Sequence, residues 1–318
     1  MNTPANASPA LELALNGICA LPQWGVIQAE GEDAASFLHN QLSNDVLLLP
    51  AGQSRLAAFC SAKGRMQASF IVVKTAPNTI LLVLSLDLLA QTLKRLSMFV
   101  LRAKVKLTDA TGQWQLRGLL GDNAHGLLGH AAPWHTVHVA GAFAVALYPS
   151  LLGNAQVPRA VWLAPTGQAL TEGPELPSDV WPWAEVMSGV TLLSQPVFEA
   201  FVPQMLNYES VGGVNFKKGC YPGQEVVARS QFRGTLKRRA ALVHSPVALV
   251  PGQEVFTPDD PEQACATVVL SAPVPNGQGF NAIVSGTLES MPKGWHVGSA
   301  EGAPLALLPL PYALLEDI

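Results

Sequence analysis

The residues best suited to chemistry lie in one segment, 211–234, which reads VGGVNFKKGCYPGQEVVARSQFRG. Cys220 stands there between two glycines, a composition that favours a tight turn. Lys217 and Lys218 precede the cysteine, and a helix is predicted to begin at Gln224–Glu225. Nearby cations and a helix N-terminus both stabilise a thiolate, which is the nucleophilic and metal-binding form of cysteine. The segment therefore predicts a reactive thiol at Cys220, with a small buried hydrophobe as the alternative.

Positive charge is concentrated around this cysteine. The whole 318-residue chain has a net charge of −4 at pH 7. The stretch 217–239 alone carries a charge of +6, which leaves −10 for all the other residues. This stretch holds seven basic residues and one acid: Lys217, Lys218, Arg229, Arg233, Lys237, Arg238, Arg239 and Glu225. A basic patch on an acidic body predicts one site for an anionic ligand.

The N-terminal third of the chain predicts the elements that would position such a site. A strand from Trp24 precedes a helix capped by Asp33, after which apolar residues recur at helical spacing. Two strands flank a turn around Gly64, and an apolar strand at 79–86 leads to a helix capped by Asp87 and a last strand. The order β-α-β-β-β-α-β resembles a split βαβ, or ferredoxin-like, unit.

Strands dominate the pattern in the remainder of the chain. Residues 114–163 are mostly strand, and a proline-rich stretch leads to a short helix at 183–188. After residue 239, short strands alternate with turns, which predicts a small closed barrel. The predicted fold class is α+β, with ferredoxin-like N-terminal units and a small C-terminal β-barrel.

Composition and cysteine content predict a cytoplasmic protein. The most apolar stretch, 79–90, is interrupted by Asp87 and is shorter than the roughly 20 residues of a membrane span. No basic residue precedes the apolar part of the N terminus, as a secretory signal would require. The four cysteines are scattered without a CxxC pair, which predicts free thiols.

A group of histidines could bind a metal in principle. Neutral imidazoles are common zinc ligands, but the spacings of this group fit no single ligand set. We therefore predict loop residues and no metal site at His125, His130, His135 and His138. The sequence also lacks the GxxxxGK[ST] and GxGxxG phosphate-binding motifs.

The Cys220 segment also resembles a known family. KKGCYPGQEVVARSQFRG is similar to the signature of the bacterial YgfZ family, which are folate-binding, tRNA-modifying proteins related to mitochondrial iron–sulfur assembly factors. Further blocks resemble the family along almost the whole chain: GEDAASFLHNQLSNDV after Trp24, FCSAKGRM, LKRLSMFVLRAKV and the closing LPLPYALLED. The family is similar in fold to the aminomethyltransferase, or T-protein, of glycine cleavage.

The resemblance implies three domains around a central channel that binds tetrahydrofolate or another folate. Their expected bounds are 12–110 for the ferredoxin-like unit, 111–238 for a second α+β unit with the Cys220 motif, and 239–318 for the barrel. Carried over by position, Trp24 and Trp181 would flank the folate, since an aromatic face stacks on a flat ring. The other cofactor-binding residues implied are Lys217, Tyr221, Gln224, Glu225 and Arg229, and Lys218 would assist Cys220 in the chemistry.

The leading hypothesis is a folate-binding accessory protein that supports iron–sulfur cluster assembly or repair in selected enzymes. Its effect on tRNA modification would then be indirect. Cys220 would act as a redox thiol or as a ligand to a transient iron–sulfur cluster. The expected partners are a folate and iron–sulfur client proteins, and we expect a monomer with no membrane contact and no direct contact with nucleic acid.

Two alternative functions stay open. A folate-dependent transferase of aminomethyl groups would need a carboxylate for proton transfer, and T-proteins have paired aspartates after the hairpin glycine. Here Gly64 is followed by Arg65, Met66, Gln67 and Ala68. Direct tRNA binding would use the basic segment, but no RNA-binding motif accompanies Lys237, Arg238 and Arg239.

Overall fold

The computed structural model describes residues 15–168, 172–232, 236–275 and 277–315. These residues form two five-stranded sheets and a closed six-stranded barrel, and neighbouring strands pair antiparallel. The predicted α+β class with a C-terminal barrel is confirmed. None of the described helices is long and apolar enough to cross a membrane.

The first sheet has the strand order β3-β4-β5-β2-β6. The chain enters through β1 (Gly17–Ala20), crosses to this sheet, and runs through β2 (Trp24–Glu30), α1 (Ala34–His39), β3 (Gln53–Cys60), β4 (Met66–Ala76), β5 (Thr79–Ser85), α2 (Leu86–Ser97) and β6 (Lys106–Asp109). The predicted order of strands and helices is confirmed. Strand β5 reads as a nearly continuous apolar run, and the first eight residues of β4 are all buried, because both faces of the sheet are covered.

Helix α1 is shorter than its apolar periodicity predicts. Leu42 and Val46 are fully buried, as expected, but they follow the end of the helix at His39. The chain turns away because the Ser43 hydroxyl donates to the Gly213 carbonyl oxygen at 2.6 Å and accepts from the Ala58 N–H at 2.8 Å. Side-chain bonds of this kind compete with helical backbone bonds.

The second sheet has the order β1-β7-β10-β9-β8. Its elements are β7 (Trp114–Leu120), α3 (Asp122–Leu128), β8 (Thr136–Val139), β9 (Ala142–Leu152), β10 (Ala155–Pro165) and α4 (Val180–Met187). Strand β1 lies inside the range expected for the first unit but pairs with β7, so the domain bounds stay a prediction. Helix α4 begins three residues before the predicted short helix, and residues 169–171 of the proline-rich stretch lie outside the described residues.

Helix α5 and the barrel complete the described chain. The elements are α5 (Gln224–Phe232), β11 (Arg238–Ser245), β12 (Glu254–Phe256), β13 (Ala266–Pro273), β14 (Phe280–Thr287), β15 (Trp295–Val297) and β16 (Pro304–Leu308). Trp295 is buried in the barrel core, and Gly286 makes room for it: a Cβ there would lie 2.3 Å from the indole ring. Closure pairs β11 with β16, which leaves no free edge strand.

Candidate functional site

A small cavity lies where the first sheet, the second sheet and helix α4 meet. We call it the central cavity, and its volume is about 20 Å³, room for about one water molecule. Its walls come from β2 to β4, from the second sheet, and from α4 with the segment that follows. The lining residues are Trp24, Leu56, Ile71, Trp134, Leu147, Tyr148, Arg159, Glu185, Val190, Thr191 and Leu192.

Arg159 brings a buried positive charge to this cavity. A β-bulge between Val157 and Arg159 shifts β10 against β9, and bulges re-aim the side chains beside them. The arginine is 4% exposed. Among the described residues its Nη1 donates one long hydrogen bond, 3.4 Å to the Tyr148 carbonyl oxygen, and its buried Nε has no partner. A guanidinium has five N–H donors, so Arg159 keeps most of its donor capacity for a ligand.

The Trp181 ring packs against the guanidinium group of Arg159. The Arg159 guanidinium carbon lies 4.7 Å from the centre of the Trp181 ring, a cation–π contact. Trp181 meets Trp24 edge to face, with ring centres 6.3 Å apart, and a Cβ at Gly118 would lie 2.5 Å from the Trp181 ring. Trp24 lines the cavity, whereas Trp181 is one layer removed from it. The predicted contact of Trp181 with a folate stays a prediction. In the structure, the Trp181 ring packs against Arg159 and Trp24.

Glu185 supplies the opposite charge from helix α4. Its side chain is buried, and burial raises the pKa of Glu185 to about 7 against the opposing effect of Arg159. Burial likewise lowers the pKa of Arg159 to about 10, so the guanidinium is charged at neutral pH. No contact within 4.0 Å joins the two charged groups in the described part of the chain. Two opposite charges therefore line one cavity without forming an ion pair.

This pair suits a flat ligand whose edge carries N–H donors beside a carbonyl oxygen. A carboxylate accepts two N–H bonds, and a guanidinium donates to a carbonyl. A 2-amino-4-oxopyrimidine ring has such an edge. Trp24 and Trp134 add the aromatic surface that a flat heterocycle stacks on.

The Cys220 turn packs against the β3–β4 hairpin. Gly223 has a φ of +79°, and a Cβ there would lie 2.4 Å from the Ser61 carbonyl oxygen and 2.7 Å from the Gly64 Cα. Backbone meets backbone at this point, which glycine alone allows. Cys220 is exposed, while Cys60 is buried, and α5 begins at Gln224 as predicted. The described residues that line the central cavity do not include Cys220.

Lys218 anchors this turn to helix α1. Its Nζ donates to the His39 and Leu42 carbonyl oxygens, the latter at 2.8 Å, and lies 4.8 Å from the centre of the Tyr221 ring. The His39 carbonyl ends α1 and the Leu42 carbonyl lies in the turn that follows, where a lysine side chain satisfies backbone acceptors. Burial lowers the pKa of Lys218 to about 8. Lys218 thus has a structural role, and its predicted part in catalysis stays a prediction.

The remaining predicted residues lie on the surface of α5 and the turn before it. Glu225 and Arg229 form an i,i+4 ion pair at 2.8 Å, and both side chains are exposed. The Gln224 backbone N–H donates to the Tyr221 carbonyl oxygen at 3.1 Å, which closes the turn. Tyr221 is buried. Contact of these four residues with a folate stays a prediction.

The basic segment does not form one surface. Arg239 is buried and pairs with Glu209, and Lys218 is held by carbonyl oxygens. Lys217 is exposed, and Arg233 lies outside the described residues. The charge concentrated in the sequence is therefore partly neutralised inside the fold.

The predicted histidine loop is partly helical. His125 lies on α3, and its ring meets that of His130 with centres 4.7 Å apart. His138 lies on β8 and stacks on Phe143. The described residues contain no group of three His, Cys, Asp or Glu side chains placed to hold a metal ion.

Two open hollows flank the central cavity. The histidine hollow, about 590 Å³, is bordered by His125 and His130 and shares Leu147, Tyr148 and Arg159 with the cavity. The basic cleft, about 490 Å³, shares Trp134 with the cavity. Its other lining residues are Asn44, Arg55, Gly212, Val214, Asn215, Phe216, Lys217 and Phe232.

Known proteins resemble this chain along its length. The GCVT N-terminal domain matches residues 16–143. The tRNA-modifying protein YgfZ of Photorhabdus laumondii is 27% identical over 311 residues, which cover 94% of this chain and 93% of the relative. YgfZ of Klebsiella pneumoniae is also 27% identical, over 98% of this chain and 97% of the relative. The predicted resemblance to the YgfZ family is confirmed.

The fold agrees with this resemblance. The crystal structure of glycine cleavage system aminomethyltransferase T from Bartonella henselae matches with a TM-score of 0.65 at 14% identity, over 94% of this chain and 86% of that chain. The chain therefore has the aminomethyltransferase fold. The GCVT match ends at residue 143, before Arg159, Glu185 and Cys220.

Sequence reasoning missed three charged residues of this protein. Arg159 and Glu185 are isolated charges in the apolar stretches AQVPRAVWLA and VWPWAEVMSG, and that isolation was the available signal. Glu199 accepts a hydrogen bond from the Gln67 side chain at 2.7 Å. A carboxylate thus reaches the β3–β4 hairpin from a distant part of the chain, although none follows Gly64 in sequence.

Proposed function

We propose that this protein binds a reduced folate in its central cavity and supports tRNA modification. Relatives that match nearly the whole chain are tRNA-modifying proteins named YgfZ, and the fold is that of an aminomethyltransferase. The proposal of folate binding rests on one observation: Arg159 and Glu185 are both buried and line the cavity, but they form no ion pair with each other. Their acceptors and donors complement the edge of a pterin ring.

The donor set fits the pterin group of tetrahydrofolate. The Glu185 carboxylate would accept the 2-amino and N3–H groups, and Arg159 would donate to the C4 carbonyl. Trp24 would contact the face of the ring. A reduced folate supplies a carrier for one-carbon units, and this chain's residues would orient it and exclude water.

Binding requires the cavity walls to move. A pterin is several times larger than the cavity volume of about 20 Å³. The histidine hollow shares Leu147 and Tyr148 with the cavity and gives these two side chains space to move outward. Rotation of such side chains, rather than a rearrangement of the sheets, would therefore admit the ring.

Cys220 is proposed to act at the surface rather than inside the cavity. Its exposed thiol, on a turn anchored by Lys218 and Gly223, is suited to reach a partner protein. We propose that it serves as a thiolate ligand to an iron–sulfur cluster held with a client protein, with Lys217 and Arg229 as nearby cations. The effect on tRNA would then pass through iron–sulfur enzymes that modify it, and the protein would act in the cytoplasm as a monomer.

The folate proposal is tested by titrating tetrahydrofolate while following tryptophan fluorescence and, in parallel, heat by calorimetry. We expect quenching in the wild type, a weaker signal and lower affinity in Trp24→Phe, and lower affinity in Trp181→Phe because Arg159 loses part of its support. Trp114→Phe is the matched control, since Trp114 packs on Phe143 away from the cavity lining. Absence of both quenching and heat in the wild type would remove the proposal.

The thiol proposal needs a separate experiment. A strain lacking the protein would be complemented with wild type, Cys220→Ala or Cys265→Ala, and iron–sulfur enzyme activity and tRNA thiolation would be measured. Cys265 is a half-buried thiol in the barrel and serves as the control. Full restoration by Cys220→Ala would refute the thiol role and leave folate binding intact.

A further inference from the structure

A folate bound as proposed must extend beyond the central cavity. Its p-aminobenzoyl-glutamate tail is far longer than a cavity of about 20 Å³ can hold. Two exits adjoin the cavity, the basic cleft and the histidine hollow. We infer that the tail leaves through the basic cleft, where Arg55 and Lys217 receive its carboxylates. This inference rests on the proposed folate function.

Trp134 forms the wall common to the cavity and the basic cleft. Its Nε1 donates to the Val211 carbonyl oxygen at 2.8 Å, which fixes the plane of the ring. Its backbone has a φ of +70°, in the left-handed region that bulky residues rarely adopt. Strained residues of this kind persist where the surrounding structure holds them, and they cluster at ligand sites. Trp134 therefore presents a fixed aromatic surface past which the p-aminobenzoyl ring can run.

The described residues that line the cleft include two permanent cations and no acid. Arg55 and Lys217 are lining residues, and neither forms an ion pair in the described part of the chain. The charge of Arg55 helps to lower the pKa of Asp45. The Asp45 carboxylate, however, accepts the Leu48 N–H at 2.8 Å and contacts His39, and it forms no ion pair with Arg55. Both cations thus remain available for the carboxylates of a ligand.

The histidine hollow lacks this chemistry. Among the described residues that line it, the one permanent cation is Arg159, which the pterin edge would occupy. Its greater volume gives space but no anion binding. Charge complementarity therefore favours the basic cleft as the exit for an anionic tail.

The geometry also points to a substrate class. Because Lys217 is exposed, a tail that runs along the cleft reaches solvent there, and each added glutamate brings a further carboxylate to the cations. The protein should therefore bind reduced oligo-γ-glutamyl folates more tightly than monoglutamates. Tetrahydropteroate, which has no glutamate, should bind most weakly.

The test measures dissociation constants by calorimetry for tetrahydropteroate and for tetrahydrofolate with one and with three glutamates. Wild type is compared with Arg55→Met, Lys217→Met and the double substitution His125→Ala/His130→Ala. Lys94→Met, an exposed lysine on α2, is the matched control. Thermal melts check that each variant folds.

We expect Arg55→Met and Lys217→Met each to weaken triglutamate binding about fivefold while leaving tetrahydropteroate binding unchanged. The preference for triglutamate should also shrink as salt screens the cations. Equal affinity for all three ligands, or a loss confined to the histidine variant, would overturn the inference while folate binding stands. Failure of every ligand to bind would instead refute the proposed function.

Discussion

Acidification is expected to weaken folate binding through Glu185. Burial raises the pKa of this carboxyl group to about 7, so its charged and neutral forms coexist near physiological pH. Only the carboxylate can accept both N–H groups of a pterin edge, because a protonated carboxyl keeps one oxygen as a donor. Folate affinity should therefore fall as the pH drops below about 7.

The magnitude follows from the ionised fraction. With a pKa of about 7, roughly one tenth of Glu185 is ionised at about pH 6, and the apparent dissociation constant rises about tenfold for each pH unit below the pKa. The stability of the ligand-free protein responds to pH in the opposite sense. The ordinary pKa is 4.5, so the stability contribution of Glu185 is complete below 4.5 and is lost as the pH rises through about 7. Acid should thus stabilise the ligand-free protein at Glu185 while it weakens folate binding.

The assay is calorimetric titration with tetrahydropteroate from about pH 5.5 to about pH 8.5, which avoids the carboxylates of the tail. Glu185→Gln should bind weakly with an affinity that does not change over this range. Glu199→Gln removes an exposed carboxylate and should keep the wild-type profile. A wild-type dissociation constant that is independent of pH, or an unchanged pH dependence in Glu185→Gln, would refute the reasoning.

Two further substitutions test the supports of the site. Gly118→Ala places a methyl group 2.5 Å from the Trp181 ring, so overpacking should lower the free energy of unfolding by about 1–3 kcal/mol. It should also weaken folate binding, because the displaced Trp181 ring would move Arg159. An unchanged midpoint in urea denaturation would contradict this. Lys218→Met leaves the His39 and Leu42 carbonyl oxygens without their donor, for a loss of about 1–3 kcal/mol. Lys217→Met, a substitution of the exposed neighbouring lysine, is the control. Equal melting temperatures of the two variants would refute the anchoring role of Lys218.

Local patterns predicted the elements of the fold well. Alternation and helical spacing placed β2 to β6 and α2, and turn residues between short strands indicated the barrel. The partner of β1 could not be read in this way, since strand pairing is decided by contacts between distant segments. The end of α1 could not be predicted for the same reason. The chain turns after residue 42 because of a hydrogen bond to Gly213, which is distant in sequence.

The site was harder to predict than the fold. Arg159 and Glu185 lie on different elements, and only the packing of the second sheet against α4 brings them to one cavity. The place of Lys218 near Cys220 in sequence predicts a role at the thiol, whereas its side chain reaches back to the carbonyl oxygens of His39 and Leu42. Spacing along a chain does not reveal which way a long side chain extends.

The small volume of the central cavity also has a kinetic consequence. A ligand that needs the walls to part can enter only during an excursion to an open conformation, so its observed association rate should level off as ligand concentration increases. The plateau would equal the frequency of that excursion. A wider cavity would capture ligands faster but would let water reach the bound ring.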